Sequence, residues 1–152
     1  MVRLLGKRLC CLIVGLFLTL AHGSESQQAQ EVEALVKNAI AYVKANGKEA
    51  ALREFVNPKG AFIKGDLYLF VYNAQGVALA HINDKMIGKN MLDLRDADGK
   101  LVIKTVLSLG NSKSGKGWQT YKWPNPVTKE VSVKRSYTER YEGLYISSGY
   151  YK

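Results

Sequence analysis

The last third of the chain alternates aromatic and cationic residues in three runs separated by turn-forming residues. The runs are residues 117–123, 130–141 and 144–151, joined by a Pro-Asn-Pro segment and by Glu142-Gly143. Runs bounded by proline, asparagine and glycine are typical of β-strands joined by turns. We therefore expect a three-stranded antiparallel meander here. Its aromatic side chains can exclude water from a pocket while Lys, Tyr and Trp donors orient a small anion.

The first 23 residues have the pattern of a secretory signal peptide. Three basic residues precede an apolar run from Leu9 to Leu20, and Ala21-His22-Gly23 is a small-x-small cleavage site. The apolar run is shorter than the ~20 residues that a membrane-spanning helix needs. We expect cleavage after Gly23, leaving residues 24–152 as one periplasmic or secreted domain without a transmembrane segment.

The predicted mature chain contains few residues that could carry catalysis. Cys10 and Cys11 both lie in the signal segment, which excludes a disulfide scaffold, a thiolate metal site and a cysteine nucleophile. His81 is the single histidine that remains, and no Gly-x-Ser-x-Gly or Ser-x-x-Lys motif is present. We predict that the protein is not an enzyme and holds no cofactor.

The acidic segment around Asp93, Asp96 and Asp98-Gly99 has some likeness to a calcium loop. Aligning it to an EF-hand puts Leu94 at the first position and Thr105 at the twelfth, so both essential carboxylates are missing. The alternative is that Asp98 is the N-cap of a following helix. We therefore expect no metal site.

Residues 30–46 predict an amphipathic helix that begins near Ser24 or Ser26 and ends at Asn46-Gly47. Residues 49–56 repeat the helical pattern briefly before Asn57-Pro58. The apolar positions of the first helix recur at steps of three and four and are Val32, Leu35, Val36, Ala39, Ile40 and Val43.

The middle of the chain has the patterns of a hairpin, a loop and a further helix. Two runs rich in aliphatic and aromatic residues, 67–72 and 77–82, are separated by a four-residue turn. Residues 83–95 read as a loop with one helical turn, and residues 100–109 as a helix. Together with the meander, these elements predict an α+β domain with a five-stranded antiparallel sheet.

Alternation along the strands predicts which side chains share a face. Tyr121 and Trp123 lie on one face of their strand and Trp118 on the other. Lys134 and Tyr137 have opposite parity, so a regular strand cannot bring both to one pocket. Either a bulge intervenes or only one of them faces a ligand.

Alternation also places His81 on the face of Val77 and Leu79, opposite Ala78 and Ala80. A lone histidine is most often a structural residue whose ring bonds to the backbone. The residues alone leave open whether His81 is structural or contacts a ligand.

Several short motifs of this chain resemble those of the extracytoplasmic single Cache sensor domains. The resemblance covers nearly all of the predicted mature chain and implies their PAS-like architecture, with a long first helix packed behind the sheet. The motifs are Gly117-Trp118, Tyr121-Lys122-Trp123-Pro124-Asn125-Pro126, Lys134 with Ser136-Tyr137, Gly143-Leu144-Tyr145 and Gly149-Tyr150-Tyr151.

The resemblance also implies a site for a small carboxylate of the acetate, propionate, lactate or pyruvate class. Ala80-His81 followed by Gly88-Lys89-Asn90 matches the family's pattern at the pocket mouth, and Lys134-x-Ser136-Tyr137 matches a further motif. The expected ligand-binding residues are Lys134 for charge, His81, Tyr121 and Tyr137 for hydrogen bonds, and Trp123 and Tyr68 for an apolar wall.

Domains of this family are usually the outer modules of chemoreceptors and histidine kinases. Because this sequence ends one residue after Tyr151, we expect it to act through a membrane sensor or receptor partner. The alternative is a non-enzymatic envelope interaction protein that kept the Cache fold and lost ligand binding.

The basic charge of the chain does not decide between these functions. The formal charge is +9, and +6 once the three basic residues of the predicted signal are removed. Export and the dispersed positions of the cations disfavour a nucleic-acid partner. An acidic partner or a lipid surface would suit the alternative function.

Overall fold

The computed structural model of the chain describes residues 19–152, so most of the predicted signal peptide, including Cys10 and Cys11, lies outside the described residues. Helices α1 (Thr19–Asn46) and α2 (Lys48–Phe55) come first. A third helix, α3 (Val102–Gly110), lies between the hairpin and the meander. Among the described residues, no helix combines the length and apolar composition needed to cross a bilayer.

The first helix confirms the predicted apolar stripe and its end at Asn46. Gly47 separates α1 from α2 with a φ of 80°, a left-handed value that glycine adopts without steric cost. The helix begins earlier than predicted, at Thr19. The six apolar residues that predicted the stripe are all buried against the sheet.

The sheet is antiparallel throughout and has six strands, one more than predicted. Its main order is β1-β2-β6-β5-β4, and β3 pairs with the last two residues of β2. The additional strand, β1, has only two residues and folds back on the start of β2. The strand bounds are β1 Ile63–Lys64, β2 Leu67–Tyr72, β3 Ala78–Ala80, β4 Lys116–Pro124, β5 Val131–Tyr141 and β6 Leu144–Tyr151.

Strand β5 pairs with both of its neighbours in an unbroken register. Lys134 is opposite Tyr121 on β4 and opposite Tyr151 on β6. Glu142 and Gly143 form the turn to β6 with φ values of 46° and 78°. Two consecutive positive φ values match the twist of a two-residue hairpin.

The two faces of the sheet have different coverings. We call the side packed against α1 and α2 the helix face; its core includes Leu69, Val71 and Ile146. The opposite side, the pocket face, carries Tyr68 and Phe70 together with residues of α3. Strands β4 and β6 of the meander contribute aromatic side chains to both cores.

A cluster on the helix face holds the start of α1 onto the last strands. Glu25 of α1 accepts hydrogen bonds from Tyr150 Oη at 3.0 Å and from Lys152 Nζ at 2.6 Å. Arg135 Nη1 lies 3.4 Å from the same carboxylate. The hydrogen bond from Lys152 is the main cause that lowers the pKa of Glu25. The carboxylate thus links α1 to β5 and to the end of the chain.

The face predicted for His81 is wrong relative to both Leu79 and Ala78, since Leu79 packs on the helix face and Ala78 on the pocket face. Val71 pairs with Ala80 whereas Tyr72 pairs with Ala78, so the register shifts by one residue between them. Because of this bulge, Ala78 packs in the pocket-face core and Ala80 in the helix-face core. His81, beyond the bulge, lies on the pocket face with Tyr68.

Candidate ligand-binding site

A groove of about 830 Å³ opens on the pocket face. Its inner wall is formed by Tyr68 at the start of β2 and by His81 just after β3. Its sides are formed by the loop 82–97 and by the turn between β4 and β5. A smaller cleft of about 10 Å³ continues it toward the core and reaches Tyr121 and α3. Tyr68, His81 and Trp123 line both spaces, so they stand where the groove meets the cleft.

Lys134 lies beside this junction with its amino group inside the protein. Its side chain is 0% exposed. The Nζ atom is 3.8 Å from the ring centroid of Tyr68, 5.1 Å from that of Phe70 and 4.8 Å from that of Tyr151. It donates one hydrogen bond, to Tyr151 Oη at 3.4 Å. None of the ion pairs formed by the described residues includes Lys134.

Burial is the main influence on the Lys134 charge and moves its pKa well below the ordinary value. The carboxylate of Asp66 acts in the opposite direction but more weakly. The aromatic rings offset part of the cost of desolvation through cation–π attraction. The positive form of Lys134 would therefore be stabilised by an anion placed beside it.

His81 is a neutral hydrogen-bond donor at the junction. Its Nδ1 accepts a hydrogen bond from the Asn83 backbone N–H at 2.9 Å. A neutral imidazole with Nδ1 as acceptor carries its proton on Nε2. Burial, and secondarily the charge of Lys134, lowers the pKa of His81 to about 4. The Nε2–H group is thus present as a donor across the neutral range.

The stability of the fold is expected to fall as the pH falls from 6.5 through about 4, because the unfolded chain protonates His81 before the folded protein does. The free energy of unfolding is expected to fall by about 3 kcal/mol in all, because each pKa unit between the unfolded and folded states corresponds to about 1.36 kcal/mol. Urea unfolding between pH 3.5 and pH 7.5 measures it. The control is His81→Phe, which should lack this component; equal pH slopes for both proteins would contradict the assignment.

Five of the six predicted site residues come together in the structure. Tyr68, Tyr121 and Lys134 are buried on the pocket face, and Trp123 is half-buried. The ring of Trp123 lies 5.8 Å from that of Tyr121 and 6.4 Å from that of His81. Burial raises the pKa of both tyrosine hydroxyls, which stay protonated.

The sixth predicted residue, Tyr137, does not reach the site. It lies on the helix face, where its hydroxyl donates to Glu139 Oε2 at 2.9 Å and its ring lies 5.3 Å from that of Trp118. The regular register of β5 explains this, because no bulge corrects its parity relative to Lys134. Of the two residues, only Lys134 lies on the pocket face, where its amino group contacts the ring of Tyr68.

Sequence reasoning missed the part played by Tyr151. Its hydroxyl accepts from Lys134, lies 3.4 Å from Tyr68 Oη, and donates to the Pro124 carbonyl at 2.9 Å. The signal that would have found it is the short turn at Glu142-Gly143. Counting outward from that turn pairs Tyr151 with Lys134.

The acidic segment forms part of the rim of the groove, and its Asp96 carboxylate binds backbone N–H groups there. The carboxylate of Asp96 accepts backbone N–H groups of Asp98, Lys100 and Lys122 at 3.0, 2.8 and 3.0 Å, and that of Lys122 contributes most to its lowered pKa. The predicted N-cap at Asp98 is wrong, since Leu101 precedes α3 and Asp98 instead pairs with Lys122 at 2.9 Å. Within residues 19–152, no group of three or more acidic, His or Cys side chains is arranged to hold a metal ion.

Solved structures of sensor domains share this fold. A methyl-accepting chemotaxis protein from Vibrio parahaemolyticus has a TM-score of 0.75 at 22% identity, over 86% of this chain and 92% of that chain. The periplasmic sensor domain of a chemotaxis protein has a TM-score of 0.69 at 22% identity, over 88% of this chain and 98% of that chain. A Cache chemosensory domain, whose structure was solved to explain carboxylic acid recognition, has a TM-score of 0.66 at 24% identity. The match covers 87% of this chain and 95% of that chain.

One characterised relative is similar in sequence. A stretch of 73 residues is 37% identical to the sensor histidine kinase MctS of Rhizobium johnstonii. The match covers 47% of this chain and 15% of the kinase, so the chain spans a small part of that relative's length.

The family profile described as Single Cache domain 2 matches residues 24–152. That range contains all six strands, helices α2 and α3 and every residue of the candidate site. The chain therefore belongs to the single Cache family of extracytoplasmic sensor domains, related to the ligand-binding domains of chemoreceptors and sensor kinases.

Proposed function

We propose that the domain binds a small organic acid of the acetate, propionate, lactate or pyruvate class, with its carboxylate between Lys134 and His81. The observation that carries this is the fully buried amino group of Lys134, which has no carboxylate within ion-pair distance among the described residues. A buried cation is costly unless an anion compensates it. A ligand carboxylate supplies that anion.

The surrounding side chains suit the polar and apolar parts of such an acid. His81 Nε2–H and the hydroxyl of Tyr121 provide donors, and charge-assisted hydrogen bonds of this kind are the strong ones. Tyr68 and Trp123 form the apolar wall. At a ceiling of about 1.5 kcal/mol per heavy atom, acetate gains at most ~6 kcal/mol, a dissociation constant of tens of micromolar. This range suits the sensing of abundant metabolites.

We further propose that the protein is exported, cleaved after Gly23, and acts in the periplasm or as a secreted domain, residues 24–152, that reports its ligand to a membrane sensor or receptor. The signal-peptide pattern of the sequence supports the first part. The kinship with chemoreceptor and kinase domains supports the second. Mass spectrometry of the protein recovered from the producing cells tests the cleavage site.

Calorimetry and thermal unfolding with short organic acids test ligand binding. An acid at a hundredfold excess over its dissociation constant is expected to stabilise the protein by about 2.7 kcal/mol. Acetamide is the matched control, since it has the shape of acetate without the charge. The proposal is wrong if none of the four acids binds or raises the melting temperature.

The competing function is an interaction protein of the envelope that has lost ligand binding. The inner cleft favours it, because about 10 Å³ holds no more than a single water molecule. Under this function the acids leave the melting temperature unchanged, and the basic surface binds an acidic partner or lipid instead. The same acid panel therefore separates the two functions.

A further inference from the structure

The groove outside the cleft is much larger than the head group of an acid requires. Its volume of about 830 Å³ falls in the range of pockets that hold drug-sized ligands. The groove shares Tyr68, His81 and Trp123 with the inner cleft, and the amino group of Lys134 lies 3.8 Å from the ring centroid of Tyr68. An acid held at Lys134 therefore directs the rest of its skeleton into the groove.

The walls next to that junction are apolar and adaptable. Ile82, Met86 and Met91 pack against the pocket-face core and keep part of their surface in the groove, as does Leu94. Methionine side chains are flexible and polarisable, so they fit chains of differing shape. Exposed Val131 extends the apolar lining to the outer end, where it is 58% exposed.

Four of the charged groups on the rim have ion-pair or hydrogen-bond partners within the protein. Lys122 is bound to Asp98, and Arg95 Nη1 donates to the Gly99 carbonyl at 2.7 Å. Lys129 Nζ donates to the Pro126 carbonyl. Asp96 is saturated by backbone N–H groups, as described above. The cations of the groove lining, unlike Lys134, are all exposed, so solvent screens their attraction for a second carboxylate and the lining favours a monocarboxylate.

We propose that the groove selects acids with one carboxylate and an apolar tail of four or more carbons, such as straight-chain fatty acids of six to eight carbons or arylacetic acids. This inference rests on the proposed function, because it assigns the carboxylate to the same site. The tail lies between Trp123 on one side and Met86 and Met91 on the other. Each methylene placed there raises the affinity about fourfold.

Calorimetry with acetate, butanoate, hexanoate and octanoate, kept below micelle-forming concentrations, tests the inference. Affinity is expected to rise with chain length by about fourfold per methylene until the groove is filled. Methyl hexanoate, which lacks the charge, is the control for unspecific apolar binding. If it binds as well as hexanoate does, or if affinity is flat or falls along the series while acetate binds, the inference is overturned.

Variants of the groove separate the tail from the head group. In Met86→Gln/Met91→Gln the ratio of hexanoate to acetate affinity is expected to fall at least tenfold. Ile87→Gln, in the same loop but outside the groove, should keep the ratio. If the double variant is folded by circular dichroism but keeps the ratio of hexanoate to acetate affinity, the tail site is refuted while the carboxylate site is not. Failure of all the acids to bind the unaltered protein would instead refute the carboxylate site and the tail site together.

Discussion

Replacement of Lys134 with methionine is expected to weaken acid binding at least 30-fold, the equivalent of about 2 kcal/mol, and to leave the fold as stable as before or more stable. Truncating one partner of a buried charge pair typically costs about 2–5 kcal/mol of binding. Methionine is close to lysine in shape and can rest on the rings of Tyr68, Phe70 and Tyr151. It removes a charge that the unliganded fold compensates only in part.

The gain in stability is expected to depend on pH in a defined direction. Because burial lowers the pKa of Lys134 in the folded state, the unfolded chain binds more protons between that lowered pKa and about 10.5. The destabilising effect of the buried Lys134 charge therefore becomes smaller as the pH rises from the lowered pKa toward about 10.5. The advantage of Lys134→Met should be larger at pH 6 than at pH 9.5.

Calorimetry with the preferred acid and urea unfolding at both pH values measure these effects. Lys116→Met is the matched control, since it makes the same change at an exposed position of β4 and should alter neither quantity. Unchanged acid affinity in Lys134→Met would remove the central residue of the proposed site. A stability loss above about 2 kcal/mol would show that the amino group is fully compensated without a ligand.

Phe55→Ala is expected to destabilise the protein by about 3–5 kcal/mol, the range found when a buried aromatic side chain is truncated. Phe55 is the last residue of α2 and is buried. Its ring centroid lies 4.9 Å from that of Phe62 in an edge-to-face contact and 6.4 Å from that of Tyr42 on α1. The substitution opens a cavity where α1, α2 and the segment before β1 meet.

Chemical unfolding monitored by circular dichroism measures this loss. Phe55→Leu, which keeps much of the volume, should cost less than half as much. Acid affinity of the folded variant should be unchanged, because this contact lies on the helix face. A loss below about 1 kcal/mol for Phe55→Ala would mean that the surrounding helices close the cavity.

The fold was largely predictable from the sequence because its long elements have strong periodic patterns. The apolar stripe of α1 and the strands of the meander need no tertiary information to be recognised. Strand β1 was missed, since two residues carry no periodicity. The bulge at Leu79 was missed because it depends on how β3 pairs with β2.

The site was predictable in part, for a related reason. Tyr121 and Trp123 share a face by simple alternation within one strand. The family motif placed Lys134 and Tyr137 together, but adjacency in a motif does not require a shared face, and the regular β5 separates them. Tyr151 entered the site through pairing between strands, which a single strand's pattern does not reveal.

The regular alternation of β5 has a consequence for how such a protein changes over evolutionary time. Lys134 lies on the pocket face against Tyr68, while its neighbour Arg135 contacts the Glu25 carboxylate on the opposite side of the sheet. A substitution of Lys134 therefore acts on the proposed ligand site, whereas a substitution of Arg135 acts on the attachment of the long helix. The range of recognised molecules and the integrity of the scaffold can therefore drift independently along one stretch of chain.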